Sequence, residues 1–244
     1  LAVTASSYSS GEHVTFYESA QAVQPWVRSQ RKAARDRITH EHLLASSAIP
    51  FVFPAKGITI DGHTEYFGDG SMRQSAPIAA AIHLGAERVL VIGAGRMHEP
   101  RGDSTAPPSP SYPSLAQIAG HALSNIFLDA LSVDVERVQR INQTLSLIPE
   151  EKRTHSALRP VELLVIAPSQ RLDAIAARHV GDLPGPVRTM LGALGVTSNM
   201  ADVRGAALAS YLLFEQGYTQ ELMALGRADT LARRADVCRF FGWK

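Results

Sequence analysis

The sequence predicts an α/β fold with a mainly parallel central sheet. Two runs, 89–92 and 161–167, are almost continuously apolar, which is typical of parallel strands that are covered on both faces. A long stretch with helical periodicity begins at Ser114, between these two strands, and the chain after residue 169 is again helical in pattern. Strands that alternate with helices favour an α/β sheet over an all-β or all-α architecture.

Composition sets broad limits on the class of protein. Among the 244 residues, 45% are hydrophobic and 19% are charged, as in ordinary soluble globular proteins. The net charge of +1 gives no electrostatic argument for a nucleic-acid partner. Cys238 is the only cysteine, which excludes an intrachain disulfide and any cysteine-based zinc site. No apolar run reaches the roughly 18 residues of a membrane span. The localisation stays open, with the cytoplasm or a peripheral membrane position favoured.

The amino-terminal part begins with two strand patterns, at 1–5 and 14–17, followed by a cluster of cations. Four cations after Trp26 have the spacing i, i+3, i+4, i+7, which predicts one basic helical face. A solvent-exposed face and a contact with an anionic lipid surface both fit this pattern. The four residues are Arg28, Arg31, Lys32 and Arg35.

A helix is predicted from the N-cap Thr39 to about Ser47, since Pro50 prevents its extension. His40 and His42 lie at its start, but residues two apart on a helix point about 200° away from each other. The zinc-protease signature needs its histidines four apart. No metal site is therefore predicted there.

The glycines of 93–95 follow an apolar strand and invite comparison with a dinucleotide-binding turn. His98 occupies the place of the third glycine, and Pro100 stands where the helix of that motif should begin. The motif requires strand, glycines and helix together. We therefore expect no nucleotide cofactor.

A β-hairpin is predicted from strands at 57–60 and 63–67, because the intervening Asp61-Gly62 suits a type I′ turn. The hairpin leads into Gly68-Asp69-Gly70-Ser71-Met72. We expect the two glycines to adopt positive φ and to leave room for a substrate beside Asp69. The alternative is a structural turn in which Asp69 binds its own backbone, with Ser71 as the partner.

The rest of the chain divides into a loop, a long helix and a helical end. Residues 99–113 are rich in proline and serine and predict a flexible loop. The helix from Ser114 has a potential break near Ser132. Further helices are predicted at 170–179, 186–194, 200–215 and 219–241, as a cap on the sheet. The expected domains are 1–168 and 169–244.

Three ordered blocks resemble the carboxyl-terminal part of bacterial patatin-like phospholipases: 42–54, 69–74 and 84–93. This resemblance implies a patatin-like three-layer α/β/α fold and a Ser-Asp catalytic dyad. Asp69, in the motif Asp69-Gly70-Ser71, would be the catalytic aspartate. By the same analogy, four residues line the site, although for the two serines helix-end packing is an equal alternative; they are Gly68, Met72, Ser46 and Ser47.

The sequence departs from that family in one important respect. Neither the Gly-x-Ser-x-Gly nucleophile motif nor the glycine-rich oxyanion loop occurs among the 244 residues, and the chain starts at Leu1 inside a strand pattern. We therefore expect a partner segment, the missing amino-terminal half of the same domain, to carry the serine, and this chain alone to be inactive. The implied function is lipid acyl ester hydrolysis, with Asp69 taking the serine proton. A non-catalytic lipid-binding or assembly module is the alternative.

Overall fold

The chain has a mixed α/β fold in the computed structural model, which describes residues 1–50, 52–97, 115–153, 158–193, 196 and 203–243. It forms two compact units, each assembled from two separate stretches of chain. The first contains Leu1–Glu87 and Val133–Val161, and the second contains Arg88–Ser132 and Glu162–Lys244. The expected boundary at residue 168 thus falls inside the second unit. The predicted loop 99–113 lies outside the described residues.

The described part of the chain contains eight strands and nine helices. The strands are β1 Ala2–Ser7, β2 His13–Tyr17, β3 Val27–Arg28, β4 Arg31–Arg35, β5 Lys56–Ile60, β6 His63–Asp69, β7 Arg88–Ile92 and β8 Glu162–Ile166. The helices are α1 His40–Ser46, α2 Ala79–His83, α3 Leu115–Ser146, α4 Glu150–Arg153, α5 Leu172–His179, α6 Gly185–Ala193, α7 Val203–Ser210, α8 Gln216–Ala232 and α9 Arg234–Phe241. The helix predicted from Ser114 is confirmed and runs without a break past Ser132.

The first unit contains a six-stranded sheet in the order β3-β4-β2-β1-β6-β5. Only β2 and β4 are parallel in it, and the other four pairings are antiparallel, so the prediction of a mainly parallel sheet is wrong here. Three of the four antiparallel pairs, β1–β2, β3–β4 and β5–β6, follow from short connections, because strands joined by a few residues can pair only in the antiparallel sense. The turn at Asp61 and Gly62, with φ of 50° and 81°, is such a connection and confirms the predicted hairpin.

A parallel pair does occur in the second unit, where β7 lies beside β8 from Arg88↔Glu162 to Ile92↔Ile166. These are the two apolar runs that suggested a parallel sheet. Over the part of the chain that the structure describes, the expected cover on both faces is not found on β7, since Leu90 is 40% exposed and Ile92 is 80% exposed. The second unit's buried core is instead helical and is formed by side chains of α5 to α8, among them Ile175, Leu191 and Tyr218.

One face of the six-stranded sheet is buried against α1. Alternate residues of a strand point to the same face, and Ala5, Val14 and Phe67 share this face because they belong to three neighbouring strands in register. Together with Phe16 and Ala45 of α1 they form a buried cluster. The helix that carries Ala45 begins after Thr39, as predicted, with the Thr39 N–H donating to His42 Nδ1 at 3.2 Å.

The four cations predicted to lie on a helical face are instead in a two-stranded ribbon, β3–β4, which we call the basic ribbon. Arg28 is opposite Arg31, so these two side chains share a face with Arg35, whereas Lys32 points to the other face. Lys32 pairs there with Glu12 at 3.0 Å. The helical pattern was overridden because β4 pairs with β2 over its whole length, a tertiary contact that outweighs local periodicity.

Candidate functional site

Asp69 is the last residue of β6 and is held in place from three sides. It is opposite Ala5 of β1, and its N–H donates to the Ala48 carbonyl, just beyond α1, at 3.0 Å. Its carboxylate Oδ1 accepts the Ser71 N–H at 2.8 Å, which caps the short 3-10 turn of Gly70–Arg73. Asp69, which is only 7% exposed, is thus fixed by β6, by the end of α1 and by the 3-10 turn together.

Burial raises the pKa of the Asp69 carboxyl above its usual value, and the hydrogen bond from the Ser71 N–H opposes this rise. The net direction is upward because the charged form loses hydration that one backbone donor does not fully replace. A carboxylate with a raised pKa is a stronger base than one in water. This is the change that a general base at near-neutral pH requires.

The glycines that flank Asp69 are required by close packing, not by backbone angle. Neither Gly68 nor Gly70 has positive φ, so that part of the prediction is wrong. A Cβ on Gly70 would lie 2.7 Å from the Thr4 carbonyl carbon, and one on Gly68 would lie 2.8 Å from Tyr8 Cζ. The space beside these glycines, which the sequence predicted to be open to a substrate, is therefore taken by β1 and by Tyr8.

The remaining predicted site residues surround this turn at different distances from the carboxylate. Met72 lies in the 3-10 turn, with its Sδ 3.9 Å from the Tyr8 hydroxyl. Ser47 directly precedes Ala48, but its hydroxyl donates to the Leu43 carbonyl at 3.0 Å, as the helix-end alternative predicted. Ser46 is half-buried at the end of α1. The structure therefore brings Ser71 to Asp69 and leaves the Ser47 hydroxyl engaged within α1.

Two buried polar side chains next to the turn were not predicted. Ser6 of β1 donates to the Gly70 carbonyl at 3.5 Å, and the same carbonyl influences the neighbouring His13 of β2. They are cross-strand neighbours, 2% and 4% exposed. Desolvation lowers the pKa of His13, with the Gly70 carbonyl opposing and Arg31 assisting the fall. The sequence signal that could have identified Ser6 and His13 was a polar residue inside a strand whose pattern otherwise resembles that of a buried strand.

The histidines at the start of α1 have separate partners. His40 Nε2 pairs with Glu41 at 2.9 Å, while His42 is buried edge-on against Phe16, with ring centroids 4.7 Å apart. Within the described ranges, no group of three or more His, Cys, Asp or Glu side chains is arranged to hold a metal ion. Over the same residues, no helix has both the length and the apolar character needed to cross a bilayer.

Comparison with other proteins gives no family assignment. The chain matches neither a model of any protein family nor any curated protein. The functional interpretation therefore depends on the geometry around Asp69 and on the resemblance of three sequence blocks.

Proposed function

We propose that this chain is the carboxyl-terminal part of a serine lipid acyl hydrolase, a phospholipase or esterase of the patatin-like type with a Ser-Asp dyad. The observation that carries the proposal is Asp69 itself, a buried carboxylate at the end of a strand with a raised pKa. Oδ1 is held by the Ser71 N–H, which leaves Oδ2 as the oxygen that would take a proton. The three-layer α/β/α arrangement belongs to the same proposal.

In this mechanism a serine upstream of Leu1 attacks the ester carbonyl while its hydroxyl proton passes to Asp69 Oδ2. The protonated Asp69 then returns the proton to the leaving alcohol, and water completes the hydrolysis of the acyl-enzyme by the same route. A histidine is not needed, because burial already raises the basicity of the carboxylate. The substrate would be a lipid or another acyl ester.

A non-catalytic lipid-binding or assembly module is the second candidate, and the bond from the Ser71 N–H to Asp69 favours it. An aspartate that only caps a turn makes this same bond. The two candidates differ in what happens when the negative charge is removed. An asparagine oxygen still accepts the Ser71 N–H, but it cannot act as a base.

Asp69→Asn in the native protein separates these candidates through ester turnover and thermal stability. For a general base, we expect kcat for a p-nitrophenyl acyl ester to fall about 10²–10⁴-fold. The melting temperature at pH 7 should hold or rise, because a buried charge is removed. Because the pKa of Asp69 is raised in the folded protein, the gain in stability of Asp69→Asn is absent at pH values below the pKa of this carboxyl in the unfolded chain. The gain appears as the pH rises above that value.

Asp61→Asn is the matched control. Asp61 lies in the exposed turn of the hairpin that leads to Asp69, so the same change of charge should leave kcat unaltered. Unchanged turnover in Asp69→Asn would return Asp69 to the role of a turn residue.

A further inference from the structure

The last two helices of the second unit expose large apolar side chains next to arginines. Met223 and Leu231 of α8 are 72% and 57% exposed, and Phe241 and Trp243 at the end of α9 are 42% and 62% exposed. The aromatic–basic surface, as we call it, consists of Met223, Arg227, Leu231, Arg234, Phe241 and Trp243.

Helical spacing places these residues in two stripes. Met223, Arg227 and Leu231 are four residues apart and lie on one side of α8, and Arg234 and Phe241 are seven apart, about two turns, on α9. A different side of α9 is anchored, since Phe240 is 6% exposed and the Arg88 guanidinium lies 4.7 Å from its ring centroid. The helix therefore has one buried side and one side that is presented to its surroundings.

The chain end holds the two exposed aromatic rings together. Gly242 ends α9 with a φ of 68°, a left-handed conformation that suits glycine. The chain then turns back, and the Trp243 N–H donates to the Cys238 carbonyl at 2.8 Å. As a result the Trp243 ring stacks on Phe241, with centroids 4.7 Å apart and planes 17° apart. The two rings form one exposed apolar pair, held by the backbone.

The arginines of this region are not all neutralised. Asp236 accepts hydrogen bonds from Arg233 at 2.8 Å and from Arg239 at 2.5 Å, so these two cations share one carboxylate. Arg227 and Arg234 have no hydrogen-bond or ion-pair partner among the residues that the structure describes. The surface therefore carries an excess of positive charge beside its apolar side chains.

We propose that the aromatic–basic surface binds the interface of an anionic lipid bilayer. Tryptophan partitions to the headgroup level of bilayers, phenylalanine is typical of the apolar face of interfacial helices, and arginines nearby are attracted to anionic lipids. On α8, Arg227 lies one turn from Met223 and one turn from Leu231, so its long side chain can reach the lipid headgroups while its apolar neighbours enter the interface. This property goes beyond the proposed hydrolase function and does not depend on it.

Sedimentation with vesicles of ether-linked phosphatidylglycerol and phosphatidylcholine tests the proposal, because ether lipids have no ester to hydrolyse and binding is measured apart from catalysis. We expect the chain to sediment with anionic vesicles and much less with pure phosphatidylcholine. Arg227→Gln with Arg234→Gln should weaken partitioning about 25-fold, since each cation near such a surface contributes about a factor of five. Phe241→Ala with Trp243→Ala should also release the chain.

The matched control is Met190→Ala with Phe214→Ala, which removes exposed apolar side chains from the same unit outside this surface. It should bind like the unaltered chain. Quenching of tryptophan emission by brominated lipids gives a second readout on the unaltered chain, and Trp243→Phe identifies which of the two tryptophans is quenched. A chain that stays in the supernatant, unquenched Trp243, or equal binding of the arginine and control variants would each overturn the proposal.

Discussion

Gly70→Ala should destabilise the protein because the new methyl group meets backbone that cannot move aside. A Cβ at this position would lie closer than 3.0 Å to the carbonyl oxygen, the carbonyl carbon and the side chain of Thr4. Thr4 is inside β1, which pairs with strands on both sides, so relief requires a shift of the Asp69 turn. Overpacking of this kind costs about 1–3 kcal/mol. Urea unfolding measures the change as a lower midpoint with an unaltered slope.

Two further substitutions isolate this cause. In Gly68→Ala the three nearest atoms to the new Cβ all belong to the Tyr8 side chain, so adding Tyr8→Ala should restore stability. Thr4→Ala should not rescue Gly70→Ala. Gly192→Ala in α6 has open space around its Cβ and should stabilise by about 0.5 kcal/mol through the helix preference of alanine. Rescue of Gly70→Ala by Thr4→Ala, or no cost at all, would refute the reasoning.

Three other predictions concern charged groups outside the turn. His179 donates hydrogen bonds to Asp182 and Glu221, both at 2.8 Å, and these bonds raise the pKa of His179. They stabilise the second unit at pH below 6.5, and this stabilisation is lost as the pH rises through the raised pKa of His179 in the folded protein. His179→Gln should therefore cost up to about 1 kcal/mol at pH 5.5 and less at pH 8.5, as followed by thermal melts, since the carboxylates are partly exposed. Asp134→Ala should cost about 1–3 kcal/mol in urea unfolding, because the Ile78 N–H loses its buried acceptor at 2.9 Å. Replacing the four cations of the basic ribbon by Gln should weaken sedimentation with anionic vesicles by at most about fivefold per cation, an effect that salt removes, and unchanged binding would leave the ribbon as solvent-exposed surface.

Local signals in the sequence predicted local structure well. The Asp61-Gly62 turn was predicted because both of its residues tolerate positive φ, and its hairpin is present. Thr39 was predicted as the cap of α1 and is found there. Such elements depend on residues within a few positions of each other, so one sequence contains the information that specifies them.

The errors arise where pairing over long distances in the chain decides the structure. The cation spacing fits a helix, yet β4 pairs with β2, and Lys32 meets Glu12 twenty residues earlier. The apolar runs did predict one parallel pair, β7–β8. They gave no information on the larger sheet, where short connections produce three of the four antiparallel pairs and β1 pairs with the distant β6.

The candidate site was only partly accessible from sequence. The turn at Asp69 and its bond from Ser71 follow from local chemistry. The role of Gly70 depends on Thr4, and the Gly70 carbonyl accepts a hydrogen bond from Ser6; both residues are more than fifty positions away in the chain. Only the register of β1 with its neighbours brings these groups together.

The most direct test of the proposed function is covalent labelling of the native protein with a fluorophosphonate, followed by mapping of the labelled serine. We expect one labelled serine, in a Gly-x-Ser-x-Gly segment upstream of Leu1, and labelling about 10²–10⁴ times slower in Asp69→Asn, the usual effect of losing a general base. A labelled serine within residues 1–244, no labelling at all, or an unchanged rate in Asp69→Asn would contradict the assignment of Asp69 as the base of a Ser-Asp dyad.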